Sequence, residues 1–491
     1  MFGTITATAV TVNSATSITA ISPAESPGTV NVTVTTTGGT SSTSSTDQFT
    51  YLTPISGDAY TPINPQRLAD TRCSTTLQPS YCSSENLPTA NASLTSLAGN
   101  TGENVTVTGI DGIPSNATAV VINVIVLNMT SGGYLSIYPE GSTPAVVSSL
   151  NWTSTSRVVT NLVTVPVNTS NGEITLRNGG TSSGVNFVVD IEGYYAPPGS
   201  TPVGLYNSVT PSRIVDTRCS ETSLPVYITN SYCASLPSAN SKLTTLGTGQ
   251  IENVTVTGVG GIPSSGVSAV VLNLTAIGPT SSGYLSAFPT GVTKAEVSTV
   301  NFNDQGEIVS NSAIVKVGSN GQISIYNFLG NTNFTIDVSG YYTDGSSSTQ
   351  SGSLFNPVTP ARILDTRCST TPQPSYCSSE NLPSVNDTLT AIPGGSSITV
   401  QVAGEANIPT DATAVVGNLS ATDGTGSGYL TVYAGSTVPT TSDVNFFAGS
   451  TNANTVISGL SSSGSLNIAN GGGHRVDVLF DVSGWFTAKT S

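Results

Sequence analysis

Residues 67–73 read Arg-Leu-Ala-Asp-Thr-Arg-Cys, and closely similar heptapeptides stand at residues 213–219 and 362–368. The central aspartates of the three copies are separated by 146 and then by 149 positions. Solenoid units repeat every ~20–50 residues, so a period of this length is that of a whole domain. The sequence therefore predicts a tandem array of three copies of one domain.

Charged residues are few, and the basic ones are concentrated in these heptapeptides. Lys, Arg, Asp and Glu make up 8% of the 491 residues, against about a quarter in ordinary soluble domains. Six of the thirteen basic residues belong to the three heptapeptides. We therefore expect most of the surface to be hydrated by the hydroxyl and amide groups of Ser, Thr and Asn.

Charge and hydropathy exclude two classes of partner. The net charge is −15 and the pI is near 4.2, so we expect no nucleic-acid partner, because no basic stripe displaces counterions from phosphates. No run of eighteen apolar residues occurs, so we expect no membrane insertion. The first four residues lack the charged start of a secretory signal. Either export uses a segment outside this sequence, or the sequence starts inside a longer chain.

The cysteines occur as one local pair in each copy. An even, local pairing in an acidic chain rich in Ser and Thr indicates disulfides made in an oxidising compartment. Zinc is the alternative, although two thiols without a nearby His or a further Cys make a poor tetrahedral site. The predicted pairs are Cys73 with Cys82, Cys219 with Cys233, and Cys368 with Cys377.

The pattern of apolar residues predicts strands throughout. Residues 6–12 and 30–35 alternate, as half-buried strands do, and no helical period of useful length is present. We expect an all-β fold, with a partial immunoglobulin-like sandwich followed by three tandem β-sandwich or β-barrel repeats, each with one local disulfide. The predicted domains are residues 1–53, 59–195, 205–342 and 354–487, with linkers at residues 196–202 and 344–349.

The three repeats resemble domains found in tandem in secreted proteins of Actinobacteria. The motifs that carry the resemblance are Pro-x-Arg-x-x-Asp-Thr-Arg, here residues 211–218, and Asp-Val-x-Gly-Tyr-Tyr, here residues 337–342. Copy three departs by Trp485-Phe486 for Tyr-Tyr, and copy one by Ile191-Glu192 for Val-Ser. The resemblance implies an accessory or surface module, and it carries no activity over to this chain.

The N-terminal module resembles the immunoglobulin-like IPT/TIG family. The matching segments are residues 2–3, 14–18, 28–30 and 49–51. The family's first strands normally precede the Phe-Gly pair, so a domain of this kind here has an open hydrophobic edge. Either the sequence is a truncated one, or a strand from a neighbouring molecule fills the gap, as in donor-strand polymers.

The Arg and Asp residues of the repeats allow three interpretations. A carboxylate pair such as Asp70 with Asp190 is the arrangement of a glycoside hydrolase. The interpretation we favour is structural ion pairs in an apolar setting, because nearby arginines lower carboxyl pKa values, the wrong direction for a general acid. A third has one arginine free to bind an anionic sugar or a neighbour's carboxylate. The residues are Arg67, Asp70, Arg72 and Asp190 in copy one, Arg213, Asp216, Arg218 and Asp337 in copy two, and Arg362, Asp365, Arg367 and Asp481 in copy three.

Other catalytic and metal-binding residues are scarce. His474 is the only histidine, so copies one and two have no Ser-His-Asp arrangement. Asp111 and Glu103 lack the ordered ladder of a calcium loop. Trp152 and the strand-end tyrosines form either a sugar platform or, as we favour, core packing. We expect no catalytic residues, no metal, no cofactor and no enzymatic activity.

Two classes of function fit these features. The first is an extracellular structural subunit of a bacterial surface filament, sheath or layer, which self-associates when a strand enters the incomplete N-terminal domain. The second is a surface adhesin or carbohydrate-binding array of a larger secreted protein, with a glycan ligand; variable disulfide loops on every repeat favour it. A viral tail or stalk is a third. We expect the structural subunit, and we expect the protein to be extracellular or located at the cell surface.

Overall fold

The structure is a computed structural model that describes residues 1–487 except 26–27, 52–56, 75–78, 144–146, 153–157, 181–183, 200–202, 222, 227 and 347–349. The described residues are almost entirely β-strand, with a single α-helix, α1 (Asn230–Ser235), and short 3-10 turns. The chain divides into two compact units, Met1–Ser56 and Gly57–Ser491. None of the described helices has the length and apolar character needed to cross a membrane.

The described residues contain six strands in the first unit and eight strands in each of the three repeats. The N-terminal unit contains β1 (Thr8–Ser14), β2 (Ser17–Ile21), β3 (Gly28–Asn31), β4 (Thr35–Thr36), β5 (Gly39–Thr40) and β6 (Gln48–Tyr51). Repeat one contains β7 (Ala59–Asp70), β8 (Gly102–Thr106), β9 (Ala119–Leu127), β10 (Gly133–Pro139), β11 (Leu150–Trp152), β12 (Val159–Pro166), β13 (Glu173–Asn178) and β14 (Asn186–Ala196). Repeat two contains β15 (Tyr206–Asp216), β16 (Ile251–Thr255), β17 (Val267–Ile277), β18 (Gly283–Pro289), β19 (Val300–Phe302), β20 (Ile308–Lys316), β21 (Gln322–Asn327) and β22 (Asn333–Thr343). Repeat three contains β23 (Phe355–Asp365), β24 (Ser397–Gln401), β25 (Ala414–Thr422), β26 (Gly428–Tyr433), β27 (Val444–Phe446), β28 (Asn452–Gly459), β29 (Ser465–Asn470) and β30 (Asp477–Phe486).

The N-terminal unit differs from the predicted immunoglobulin-like sandwich. Its described strands form three separate two-stranded sheets, β1 with β2, β3 with β6, and β4 with β5. Every residue of the β1–β2 hairpin is exposed, so its apolar side chains have no second sheet to pack on. Phe2 is the one buried apolar residue in the described part of this unit, and it packs edge-on against Phe49. Strand alternation located β1, whereas the alternating residues 30–35 are divided between β3 and β4. Two faces must also meet before a sandwich exists.

Each repeat is built from two antiparallel four-stranded sheets. In repeat one the sheet orders are β12-β9-β14-β7 and β11-β10-β13-β8, and the other two repeats have the same orders. The two sheets of a repeat share a single hydrophobic core, with Val124 of β9 and Leu135 of β10 among its residues in repeat one. The prediction of an all-β fold with three local disulfides is confirmed.

Strand β9 is buried on both faces. All nine of its residues, Ala119 to Leu127, are buried. Val120, Ile122 and Val124 face the core of their own repeat, whereas Ala119 and Val121 belong to a different cluster shared by all three repeats. A strand with two buried faces reads as a continuous apolar run, and β17 and β25 have the same character.

The shared cluster makes the three repeats one unit with pseudo-threefold symmetry. Equivalent strands β9, β17 and β25 each contribute two small or branched apolar residues to it. At one end of the axis, Ala59, Leu205 and Leu354 form a small apolar group. The repeats thus form a closed ring of six sheets, with an axial core in addition to the three local cores. Residues 200–202 and 347–349 of the predicted linkers lie outside the described residues.

Candidate functional site

The heptapeptide ends the first strand of each repeat and turns the chain into the disulfide loop. In repeat one, Asp70 is the last residue of β7, and its Oδ1 accepts the backbone N–H of Arg72 at 2.9 Å. The guanidinium of Arg72 folds back on the same carboxylate. Asp216 and Asp365 hold the arginine two residues further on in the same way. The Asp-Thr-Arg pattern is therefore a side-chain cap on a tight turn.

The first arginine of each heptapeptide pairs with an aspartate on the last strand of the same repeat. Arg67 stands opposite Asp190 in the β7–β14 ladder, and its Nε lies 2.8 Å from Oδ1. The equivalent distances are 2.7 Å for Arg213 with Asp337 and 2.7 Å for Arg362 with Asp481. All three pairs make two hydrogen bonds, the fork geometry that arginine favours for carboxylates.

Each of these arginines has a further partner that the sequence analysis missed. The disulfide loop brings Glu85 to Arg67 and Glu380 to Arg362, the latter at 2.7 Å. In repeat two Tyr232 takes this place, with its hydroxyl 3.4 Å from Nη1 of Arg213. Copies one and three share Cys-Ser-Ser-Glu after the second cysteine, and this shared tetrapeptide is the signal that identifies the two glutamates.

Burial decides the electrostatics of this cluster. Burial raises the pKa of Asp190, and Arg67 offsets only part of that shift. Burial opposes the charge on Arg67, but the carboxylates of Asp190 and Glu85 outweigh it and raise its pKa. Burial likewise raises the pKa of Glu85, the charge of Asp70 adds to this rise, and the guanidinium of Arg67 offsets only part of it. Arg67 lowers the carboxyl pKa of Asp190, as expected, but burial is the larger effect and leaves that pKa above its ordinary value.

The paired aspartates also bind the neighbouring repeat. Oδ2 of Asp337 accepts the backbone N–H of Ser442 in repeat three at 3.0 Å. Oδ2 of Asp481 accepts that of Ser148 in repeat one at 3.3 Å, and Asp190 accepts that of Ser298 in repeat two. The three bonds run in a cycle from one repeat to the next. One buried carboxylate therefore closes its own sandwich through the arginine and joins it to the next sandwich.

Six asparagines continue this interface along the axis. Their side chains connect to each other and to backbone groups across repeat boundaries. Nδ2 of Asn311 donates to Oδ1 of Asn123 at 2.8 Å, while its own Oδ1 accepts the N–H of Leu162 at 3.0 Å. The remaining bonds of the same pattern join Asn161 to Asn418 and Asn454 to Asn273. A fully bonded polar layer of this kind specifies one register of the three repeats.

An aromatic layer lies beside the branched residues of the axial core. The final strand of each repeat supplies one ring and the first strand supplies another. Tyr195 stacks on Phe355 with ring centroids 4.1 Å apart, and Phe486 stacks on Tyr206 at 4.3 Å. The hydroxyl groups of Tyr195 and Tyr342 lie 2.5 Å apart. These six strand-end rings thus belong to the axial core, where burial raises the pKa of Tyr195 above its ordinary value.

Repeat one carries a buried acid that the other repeats lack. Glu192 follows the paired aspartate by two residues, where copies two and three have Ser339 and Ser483. It is 6% exposed, and its Oε2 accepts the backbone N–H of Ile314 in repeat two at 2.9 Å. Burial raises the pKa of Glu192 to about 8.

A cavity of about 530 Å³ adjoins the asparagine layer, and Asn161, Asn311 and Asn454 of that layer line it. Its described walls come from equivalent positions of all three repeats, at the ends of β11, β19 and β27 and the starts of β12, β20 and β28. Apolar side chains and amide or hydroxyl side chains occur among them in similar numbers, and Asp304 and Glu307 are the charged residues among the described wall positions.

The remaining candidates are a histidine, a tryptophan and two groups of possible metal ligands. His474 is exposed in a loop between β29 and β30, and Trp152 is 5% exposed in the core of repeat one. Within the described part of the chain, two side-chain groups have a metal-ligand spacing, Cys73-Cys82-Glu85 and Asp365-Cys368-Glu380. Their cysteines are in disulfides, and a disulfide sulfur is not the thiolate that binds a metal.

Removal of the disulfide in repeat two has a defined expected cost. Cys219 and Cys233 are fourteen positions apart, and closing a loop of this length contributes about 3 kcal/mol in the chain-entropy model. Tyr232, which touches Arg213, sits next to the second cysteine. We therefore expect the Cys219→Ser/Cys233→Ser variant to have a free energy of unfolding lower by about 3 kcal/mol. Its urea midpoint falls accordingly. An unchanged urea midpoint contradicts this role.

No protein-family model matches the chain, and no curated protein matches it. Among solved structures, two chains of archaeal virus structures have a TM-score of 0.16. One, from Sulfolobus turreted icosahedral virus, is 8% identical and aligns over 88% of this chain and 92% of its own length. The other, from work on a triple jelly roll fold and turret assembly, is 9% identical over 87% and 91%.

A tandem carbohydrate-binding pair, CBM22-1–CBM22-2 of Xyn10C from Paenibacillus barcinonensis, is 13% identical. It aligns over 51% of this chain and 85% of its own length, with a TM-score of 0.15. At these TM-scores none of the three likenesses supports a statement on fold or function. The resemblances to the actinobacterial repeats and to the IPT/TIG family stay predictions from sequence motifs.

Proposed function

We propose that the protein is an extracellular structural subunit of a bacterial surface filament, sheath or layer, joined to the next copy through its N-terminal hairpin. The observation that carries this proposal is the exposure of β1 and β2. Val12 and Ile18 face each other across the hairpin and are 69% and 44% exposed, while Val10 and Ile21 are 55% and 60% exposed. Apolar strands left open in this way are templates for a further strand.

The hairpin also has the backbone groups that a further strand needs. β1 and β2 form a sheet of two strands, so each has an outer edge without a sheet partner among the described residues. Strand addition uses such an edge for main-chain hydrogen bonds and the adjacent side chains for specificity. A strand from a second copy can form the main-chain hydrogen bonds at this edge and cover the apolar side chains beside it. One such joint per chain produces a linear polymer.

The three repeats support a structural role rather than a catalytic one. The carboxylates of the repeated motif are buried, with Asp190 only 1% exposed and Asp70 only 2% exposed, so they have no access to a polysaccharide substrate. Their partners are the arginines and the next repeat. Three disulfides are typical of proteins in oxidising compartments, which supports an extracellular location.

Polymerisation of the full chain tests the proposal. We expect purified protein to form fibres at high concentration in negative-stain electron microscopy, and its mass by light scattering to rise with concentration. The Val12→Asp/Ile18→Asp variant is expected to remain monomeric, because two charges on the hairpin face prevent strand addition. The matched control is Val226→Asp, which changes a fully exposed valine in repeat two. A wild-type monomer at every concentration, or fibres that tolerate the hairpin variant, would refute the proposal.

A further inference from the structure

The second sheet of repeat two carries a cluster of exposed apolar side chains at its edge. Ile251 of β16 stands opposite Tyr326 of β21, and Phe328 and Leu329 follow directly after β21. Ile251 is 51% exposed, Phe328 is 45% exposed and Leu329 is 43% exposed. Contiguous apolar surface of this kind marks interaction sites. We propose that these four residues and Tyr284, here called the acceptor patch, bind the β1–β2 hairpin of the next copy, which presupposes the hairpin joint proposed above and names its second half.

The aromatic rings of the acceptor patch pack against one another. Tyr284 and Phe328 stack with ring centroids 4.7 Å apart and an angle of 11° between their planes, and the ring of Tyr326 lies 6.3 Å from that of Tyr284. The ammonium group of Lys294 lies 4.8 Å from the ring centroid of Tyr326 and pairs with Glu296 at 3.4 Å. Side chains that are already held in place lose little freedom on binding, so the patch is preformed for a partner.

Repeats one and three lack the acceptor patch, although their sheets have the same strand order. At the positions of Ile251, Tyr326 and Phe328, repeat one has Gly102, Arg177 and Gly179, and repeat three has Ser397, Ala469 and Gly471. A Cβ atom on Gly179 or on Gly471 would collide with the ring of Tyr134 or of Tyr429, so in these repeats a tyrosine ring covers a glycine. The shared fold therefore does not require the apolar residues of repeat two, and a single patch per chain is what a linear polymer uses.

The edge of β16 offers backbone groups to a further strand. β16 is the last strand of its sheet, and the N–H and C=O of Thr255 point away from β21, because both bond to the side chain of Asn240 at 3.0 Å. Alternate residues of a strand direct their backbone groups to the same side, so those of Ile251 and Asn253 face the open edge. Within the described part of the chain, no residue forms a hydrogen bond with these four groups. The edge can therefore pair with an extended strand.

The β1–β2 hairpin fits this surface better than a sugar does. An open backbone edge binds the backbone of another extended peptide, which a glycan does not have. Residues 8–21 of the hairpin contain no charged side chain, so its docking leaves no charge unpaired in the interface. The exposed side chains of Val12 and Ile18 can cover the rings of the patch while a hairpin edge pairs with β16. Because the hairpin and the patch are different surfaces, the contact is head-to-tail and extends from copy to copy.

Light scattering on full-length variants tests the acceptor patch. The Ile251→Ser/Tyr326→Ala/Phe328→Gly variant gives repeat two the residues of repeat three, whose sheet has the same strand order. We expect it to raise the concentration at which the mass increases by at least about tenfold, the effect of losing interface anchors. The matched control is Val438→Ser in repeat three, which removes an apolar side chain that is also 51% exposed and is expected to assemble like the wild type. Ile251→Lys keeps all three rings and places a charge on the open edge; it is expected to block assembly even if the triple variant fails to fold.

A mixing experiment separates the acceptor patch from the hairpin. The Val12→Asp/Ile18→Asp variant keeps the patch, and the triple variant keeps the hairpin. We expect each to be monomeric alone and their equimolar mixture to form a complex of twice the monomer mass, because one intact joint remains. If the triple variant and Ile251→Lys assemble like the wild type while the hairpin variant does not, the hairpin joint stands and this patch is not its acceptor. A mixture that stays monomeric also overturns the assignment, whereas a wild-type chain that never assembles refutes the joint itself.

Discussion

Asp337→Ala is expected to lower the free energy of unfolding of the three-repeat unit by about 3–5 kcal/mol, the range for removing one partner of a buried ion pair. The guanidinium of Arg213 is 14% exposed and loses both of its hydrogen bonds to the carboxylate. The backbone N–H of Ser442 in repeat three loses its acceptor at the same time. Urea denaturation followed by tryptophan and tyrosine fluorescence measures the change.

Two variants serve as controls for this experiment. Arg475→Ala removes an arginine that is 49% exposed and pairs with Asp477, so we expect it to cost at most about 1 kcal/mol. Asp337→Asn keeps an oxygen that accepts from Ser442 but loses the charge, so its cost is expected to lie between the other two. If Asp337→Ala costs no more than Arg475→Ala, the buried pair does not hold the ring together.

The carboxylate of Asp337 binds Arg213 and also accepts a hydrogen bond from the next repeat. These two interactions explain why the motif pairs an arginine with an aspartate. An amide or hydroxyl partner satisfies one hydrogen bond of a guanidinium but leaves a buried positive charge uncompensated. A carboxylate binds both N–H groups of Arg213 and still has a lone pair for the next repeat. The distribution of basic residues fits this role, because six of the thirteen lie in the heptapeptides that form these buried pairs.

The sequence was sufficient to predict the local architecture of the repeats. Their period, the strand pattern and the paired cysteines depend on contacts close in sequence or within one repeat, and such contacts leave a local pattern. The residues of the ion pairs were also predictable, because Arg67 and Asp190 recur in equivalent places. Their partner Glu85 was missed, since it lies in a loop whose length differs between copies.

The packing of the repeats around an axis was not predicted, for a physical reason. Residues 119–127 of β9 are apolar except for Asn123, a pattern that indicates burial on both faces but not which surface covers the second face. The Nδ2 of Asn123 donates to the backbone carbonyl of Ser298 in the next repeat. The linkers at residues 196–202 and 344–349, rich in Pro and Ser, suggested separate domains. A short linker is equally compatible with two repeats that pack against each other.

Glu192, the buried acid of repeat one, is expected to make the stability of the protein depend on pH. The side chain of Glu192 faces Asp190 on its own strand and Tyr60 on β7, and repeat two presents the N–H of Ile314. Burial, and to a smaller extent the charge of Asp190, raise its pKa from 4.5 to about 8, against the hydrogen bond from Ile314. The folded protein therefore holds this proton at pH values where the unfolded chain releases it.

The sign of the pH dependence follows from this difference. Below about pH 4.5 both states are protonated and the contribution of Glu192 to stability is fully present. As the pH rises towards 8 the unfolded state alone ionises, so stability falls, by up to about 5 kcal/mol for a shift of this size. Glu192→Gln keeps an acceptor for Ile314 but does not titrate. We expect it to match the wild type at pH 4 and to exceed it in unfolding free energy at pH 8.

The comparison of the two proteins isolates Glu192 from other titrating groups. Asp58 also has a raised pKa, chiefly through burial, and it affects the wild type and Glu192→Gln alike. Asp411→Asn changes an exposed carboxyl group and is expected to follow the wild-type curve from pH 4 to pH 8. Parallel curves for wild type and Glu192→Gln would mean that the acid is hydrated in solution. A diverging pair would mean that the boundary between repeats one and two, where Glu192 meets Ile314, is the part of the ring that loosens as the pH rises.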